Sequence, residues 1–192
     1  MIPRAAFGAL LLLALAPFPA AAQDLDALMA ASRETAGQLI QQLGAQLRAE
    51  LAKGGPDAAV AVCKTIAPEL AGRISREKGW RVSRVSLKTR NPLLGAPDAW
   101  EQQVLEQFDR RAAAGEKAET LELGAVAEEP AGRYYRYMKA IPVQPLCLTC
   151  HGTAETIPMA VRERLTTEYP HDRATGYSAG QVRGAVTVKQ PL

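Results

Sequence analysis

Along the first quarter of the chain, apolar residues return at helical intervals. Leu28, Leu39, Leu43, Leu47 and Leu51 share one stripe, Ser32 and Ala36 fill its gap, and Gly54-Gly55-Pro56 ends the pattern. A helix over residues 25–53 is therefore expected. Pro56 suits the first turn of a second helix, whose inward stripe is Ala59, Cys63, Ile66, Leu70 and Ile74. Pro68 offers no N–H to the carbonyl of Lys64, so this helix should bend or open one turn after Cys63 and aim that residue into a pocket.

Beyond these helices the pattern turns to period two and to turn signals. Residues 80–88 read as a strand carrying Arg81, Arg84 and Lys88, and Arg90-Asn91-Pro92 breaks it. Pro97-Asp98 opens a helix through Trp100, Val104, Leu105 and Phe108 that ends near Gly115. Residues 119–126 and 133–143 are two further strands, the second bearing Tyr134, Tyr135 and Tyr137. Pro158 starts a short helix ending near Tyr169. In a last strand Val182, Val186 and Val188 alternate with Arg183, Thr187 and Lys189. Long amino-terminal helices followed by a small sheet make the expected class α+β.

The amino terminus changes the picture of where the protein works. Arg4 forms a minimal positive region, residues 7–15 are apolar, and Ala20-Ala21-Ala22 offers the small residues that a signal peptidase needs. Residues 1–22 are read as a cleaved signal peptide, residues 23–192 as one domain, and the location as periplasmic. Pro17 and Pro19 interrupt the apolar stretch, which falls short of the roughly 20 residues that span a bilayer. The formal charge of +3 drops by one with Arg4, so nucleic acid is not an expected partner. Aromatic residues make up only 5% of the chain. A large flat bound group would then supply much of the apolar surface in the core, leaving the chain without it poorly folded.

The candidate chemistry lies in Cys147-Leu148-Thr149-Cys150-His151. Two thiols at C-x-x-C spacing can add to the two vinyl groups of one porphyrin, and the adjoining His is delivered to the iron as an axial ligand. The chain has three Cys and two His in all, so this grouping points to one covalently attached haem c held by Cys147, Cys150 and His151. A dithiol or disulfide beside a chance His is the rival reading. Cys63, His171, Met138 and Met159 are the candidates for the sixth position on iron. Cys63 has no cysteine left to pair with, and a buried inert thiol or an intermolecular disulfide would also account for it. His171 sits in a polar loop, and Met138 and Met159 read as core residues. Arg84 and Arg90 suit either propionate pairing or an ordinary surface.

Several separated motifs, in order, resemble the bacterial c-type haem domain family with a PAS-like fold. They are Ala61-Val62-Cys63 with Ala67-Pro68, the run from Arg84 to Pro92, Pro97-Asp98-Ala99-Trp100-Glu101, the strand leading into Cys147-Leu148-Thr149-Cys150-His151-Gly152, and Gly184-Ala185-Val186. The resemblance implies a PAS-like antiparallel sheet and a cysteine from the amino-terminal helices as second axial ligand, which here is Cys63. The segment Leu93-Leu94-Gly95-Ala96 departs from the family's shorter turn.

A thiolate ligand stabilises ferric iron and lowers the reduction potential, whereas Met beside His raises it. Two filled axial positions also disfavour enzymatic turnover. Acidic residues look scattered and solvated, and no catalytic pair stands out. The expected function is redox or diatomic-gas sensing through His151 and Cys63, with low-potential periplasmic electron transfer as the alternative. A gas or a redox protein is the expected partner, and the apolar stripe of the first helix suggests a homodimer.

Overall fold

A computed structural model describes residues 24–192. The expected signal peptide and its cleavage point lie outside the described residues. The chain is α+β, with one four-stranded antiparallel sheet clothed by helices on both faces.

Helix α1 (Leu25–Ala58) begins where Asp24 accepts hydrogen bonds from the Asp26 and Ala27 amides, satisfying two orphan donors of the first turn. The helical pattern breaks at Gly55 (φ 78°, ψ −176°), as the Gly-Gly-Pro run predicts, and resumes at Pro56. A π turn then spans Val62–Ile66, in which the Ala67 amide reaches back to the Val62 carbonyl. Pro68 explains it: without a donor for Lys64, the ladder widens by one residue. Helix α2 (Ala67–Lys78) follows and ends on Gly79 in the left-handed conformation.

The extra residue shifts the buried face. Val62, Ala67, Leu70, Ala71 and Ile74 are buried, while Cys63 and Ile66 are only half-buried. Cys63 is therefore displaced from the core stripe on which an unbroken helix would have placed it.

Strand β1 (Arg81–Val85) is followed by a short helix, α3 (Pro92–Gly95), at the segment expected to be a turn. Helix α4 (Ala99–Ala113) opens on a capping box between Asp98 and Glu101. Strands β2 (Glu122–Glu129) and β3 (Gly132–Pro142) form a hairpin, helices α5 (Leu148–His151) and α6 (Met159–Glu168) come next, and β4 (Val182–Pro191) closes the chain. The sheet order is β1-β4-β3-β2.

On one face, Ala36, Leu39, Leu70 and Ile74 of α1 and α2 pack on Val82, Tyr135, Tyr137, Val186 and Val188. On the other, Val104, Leu105 and Phe108 of α4 pack on Val85, Met138, Ala140 and Ala185. Each large side chain so buried stabilises the fold by about 2 kcal/mol. The central strand β4 is thus buried on both faces, which corrects the expected one-sided alternation. Thr187 is buried and donates to Glu101 at 2.8 Å.

Glu101 is itself buried and shares Arg136 with Asp98 and Glu129, so the acidic residues are not all solvated as expected. Met138 lies in the core as expected, whereas Met159 is 67% exposed and is not a core residue. Among the described residues no helix is long and apolar enough to cross a membrane.

Candidate functional site

The C-x-x-C-H run occupies a single turn. A 3-10 turn at Pro145–Cys147 leads directly into α5, so Cys147 at its end and Cys150 and His151 in α5 lie within about one helical turn. Three carbonyls of this turn are clasped by distant chain. Arg90 Nη2 donates to Cys150 O at 2.5 Å, the Tyr177 amide to His151 O at 2.9 Å, and the Gly176 amide to Gly152 O at 2.7 Å. Arg90 is buried and its Nε donates to Asp172 at 3.0 Å. It is a fixture of the site and not a surface charge.

His151 Nδ1 lies 2.6 Å from the carbonyl oxygen of Ala174. A carbonyl only accepts, so Nδ1 carries the proton and Nε2 keeps its lone pair. Burial drives the imidazole pKa well below its ordinary value, and the nearby Arg183 and Arg90 guanidinium groups push the same way. The ring is a neutral donor with one ligating nitrogen to offer.

Cys150 packs against a third apolar cluster made of Val60, Ile157, Val161, Leu165 and Tyr169. Val60 precedes the π turn and the other four residues lie in or beside α6, so this cluster brings Cys63 to the region of the C-x-x-C-H turn. An ion pair between Lys64 and Glu168 ties the same two elements together. Burial raises the Cys150 thiol pKa, Arg90 opposes, and the thiols of Cys63 and Cys147 act in the same direction as burial. Burial pushes the Tyr169 hydroxyl up to about 12, with Cys63 again adding to the shift. Cys63 is thus an electrostatic neighbour of both.

The other candidates for iron are not brought in. Met138 belongs to the core beneath α4, Met159 faces solvent, and His171 is exposed.

Strict alternation with Val182, Val186 and Val188 would place Arg183 on the opposite face of the last strand. Across β3 and β4, Ile141 pairs with Gly184 and Pro142 with Val182, so Arg183 is the unpaired residue of a β-bulge. The bulge turns its guanidinium toward His151, with Nε 3.2 Å from Nδ1 and 3.4 Å from Nε2. Near-equal distances to both ring nitrogens place the guanidinium over the ring face. The signal was present as Gly184, since a glycine inside a strand often marks a bulge or a close backbone approach. Here a Cβ on Gly184 would collide with the Val85 carbonyl oxygen.

Two thiols and a tautomer-fixed imidazole on one turn, an apolar wall and a third thiol fit an iron porphyrin by their donor chemistry. Arg84, Arg90 and Arg183 all depress the His151 pKa and so surround the imidazole with positive charge, which suits a dianionic group.

A family model described as Tll0287-like: Tll0287 matches residues 20–191. Among solved structures, the crystal structure of the cyanobacterial heme-protein Tll0287 is similar, with 28% sequence identity and a TM-score of 0.65, covering 86% of this chain and 95% of that chain. No curated protein matches.

Proposed function

The chain belongs to the Tll0287-like family, and from that premise we propose that it is an exported haem protein carrying one haem c on Cys147 and Cys150, with His151 and Cys63 as axial ligands. Bound haem supplies a one-electron couple and an iron atom to which a diatomic gas can bind. The observation that carries the reading is the placement of Cys63 on the π turn, beside the apolar cluster that also receives Cys150.

Each residue has a distinct task. Cys147 and Cys150 hold the group covalently. Ala174 fixes the tautomer of His151, and the clasp formed by Arg90, Gly176 and Tyr177 holds its backbone. Cys63 sits on a turn already widened by Pro68, an element that can give or withdraw the sulfur by rewinding. A thiol on an adaptable turn favours a sensing role, in which the turn would change shape if Cys63 were released. The α+β scaffold with its antiparallel sheet supports the PAS-like description. A periplasmic location is supported by the leader-like pattern of residues 4–22 in the sequence and, on the haem c reading, by the need of covalent attachment for an extracytoplasmic site. Regulation is favoured over catalysis because His151 and Cys63 together would leave bound iron no open position.

Electron paramagnetic resonance of the oxidised, haem-loaded protein beside Cys63→Ser tests the assignment. A low-spin thiolate-type signal in the parent and its loss in the variant are expected, together with a retained covalent haem mass. An identical spectrum from the variant removes Cys63 from the iron and moves electron transfer ahead of sensing.

A further inference from the structure

Beside Arg183 lies a cavity of about 570 Å³ between the segment that follows β1, helix α4 and the residues leading into β4. Its volume falls within the roughly 300–1,000 Å³ of small-molecule sites. Apolar walls come from Leu87, Leu105, Ala112 and Val182, and two cations stand in its lining, Lys88 and Arg183. The cavity shares no residue with the apolar cluster that receives Cys150.

The two cations lack a counter-ion. Arg183 Nη1 donates to Ser86 Oγ at 2.7 Å and to Lys88 O at 3.2 Å, and its guanidinium lies over the faces of His151 and Tyr177. Lys88 Nζ donates to Thr175 O and lies 4.4 Å from the Tyr177 ring centroid. Among the described residues neither cation has a carboxylate within 4.0 Å. The nearby Asp172 is committed to Arg90, and Asp109, in the cavity lining, makes no ion pair with either. A guanidinium whose Nη2 has no hydrogen-bond partner among the described residues, standing beside an ammonium in a recess of mixed polarity, matches a carboxylate that accepts from both cations.

We propose that Arg183 and Lys88 form a carboxylate-receiving site in this cavity, so that its occupant is sensed by His151 through the guanidinium on its ring. The carboxylate has two sources: a free organic acid with an apolar body, or a propionate of the haem itself. Only the second source rests on the haem reading.

Calorimetry on the haem-loaded protein with hexanoate and benzoate, against hexanamide and benzamide, tests the first source. Saturable binding of an acid, at least tenfold weaker binding of its amide, and at least a tenfold loss in both Arg183→Gln and Lys88→Gln are expected. Lys88→Gln leaves His151 untouched, so it decides the matter if Arg183→Gln fails to fold. Resonance Raman of the same samples tests the second source: with no acid bound, a shift of the propionate bending bands in both variants assigns the site to the haem's own carboxylate. Absence of acid binding together with unchanged propionate bands overturns the proposal. Protein mass measures haem attachment separately, and a chain without covalent haem leaves the calorimetric result standing.

Discussion

At the scale of single residues, positions that look ordinary in the sequence hold the site. Gly184 lets β1 approach the bulge that presents Arg183, and its φ of 158° lies where side chains are rarely accommodated. Gly184→Ala is expected to cost at least about 2 kcal/mol, read as a lower denaturant midpoint, and to disturb the His151 environment. Glu122 gives a pH-dependent contribution. Its carboxylate pKa is lowered first by hydrogen bonds from Arg33, against burial, and then by the Tyr137 hydroxyl at 2.6 Å. A depressed folded pKa means that the stabilisation is present above the ordinary glutamate value and disappears as pH falls through the folded one. Thermal melts from pH 7 to pH 3 should show the parent's advantage over Glu122→Gln shrinking on acidification; a constant gap would make the contact neutral in linkage.

Among the elements, the π turn joins local chemistry to function. Pro68 announced it in the sequence, because a missing amide is visible in the residue letters, and the amphipathic stripes of α1 and α4 were equally readable. The displacement of Cys63 from the buried stripe was not, since one residue of added width is settled by packing against α6. The bulge at Arg183 and the two-sided burial of β4 were likewise hidden. Both arise from strand partners and helix layers distant in sequence, whereas Cys147, Cys150 and His151 are adjacent and declared themselves. Pro68→Ala restores the amide that Lys64 lacks and should let the turn rewind as α-helix. The expected outcome is a smaller thiolate-type resonance fraction in the haem-loaded variant with unchanged covalent haem mass; an undiminished fraction would detach Cys63 geometry from the proline.

For the molecule as a whole, three apolar clusters divide the labour. Two of them sandwich the sheet and include neither Cys63 nor the C-x-x-C-H turn, while the third joins α6 to the π turn and Cys150. The dependence of folding on haem is therefore expected to be local. In Cys147→Ser/Cys150→Ser, hydrogen exchange should stay slow in β3 and β4 and rise in α5, α6 and the π turn; uniform loss of protection would instead show that the whole fold waits for the porphyrin.

The clasp on the C-x-x-C-H turn also sets a calendar for biogenesis. Its partners lie on both sides in sequence, Arg90 long before the motif and Gly176 and Tyr177 after it, just ahead of the closing strand. On the proposed function, the thiols are most accessible for haem attachment while that strand is undocked, and protein folded before haem is supplied is expected to attach it more slowly than protein that folds in its presence.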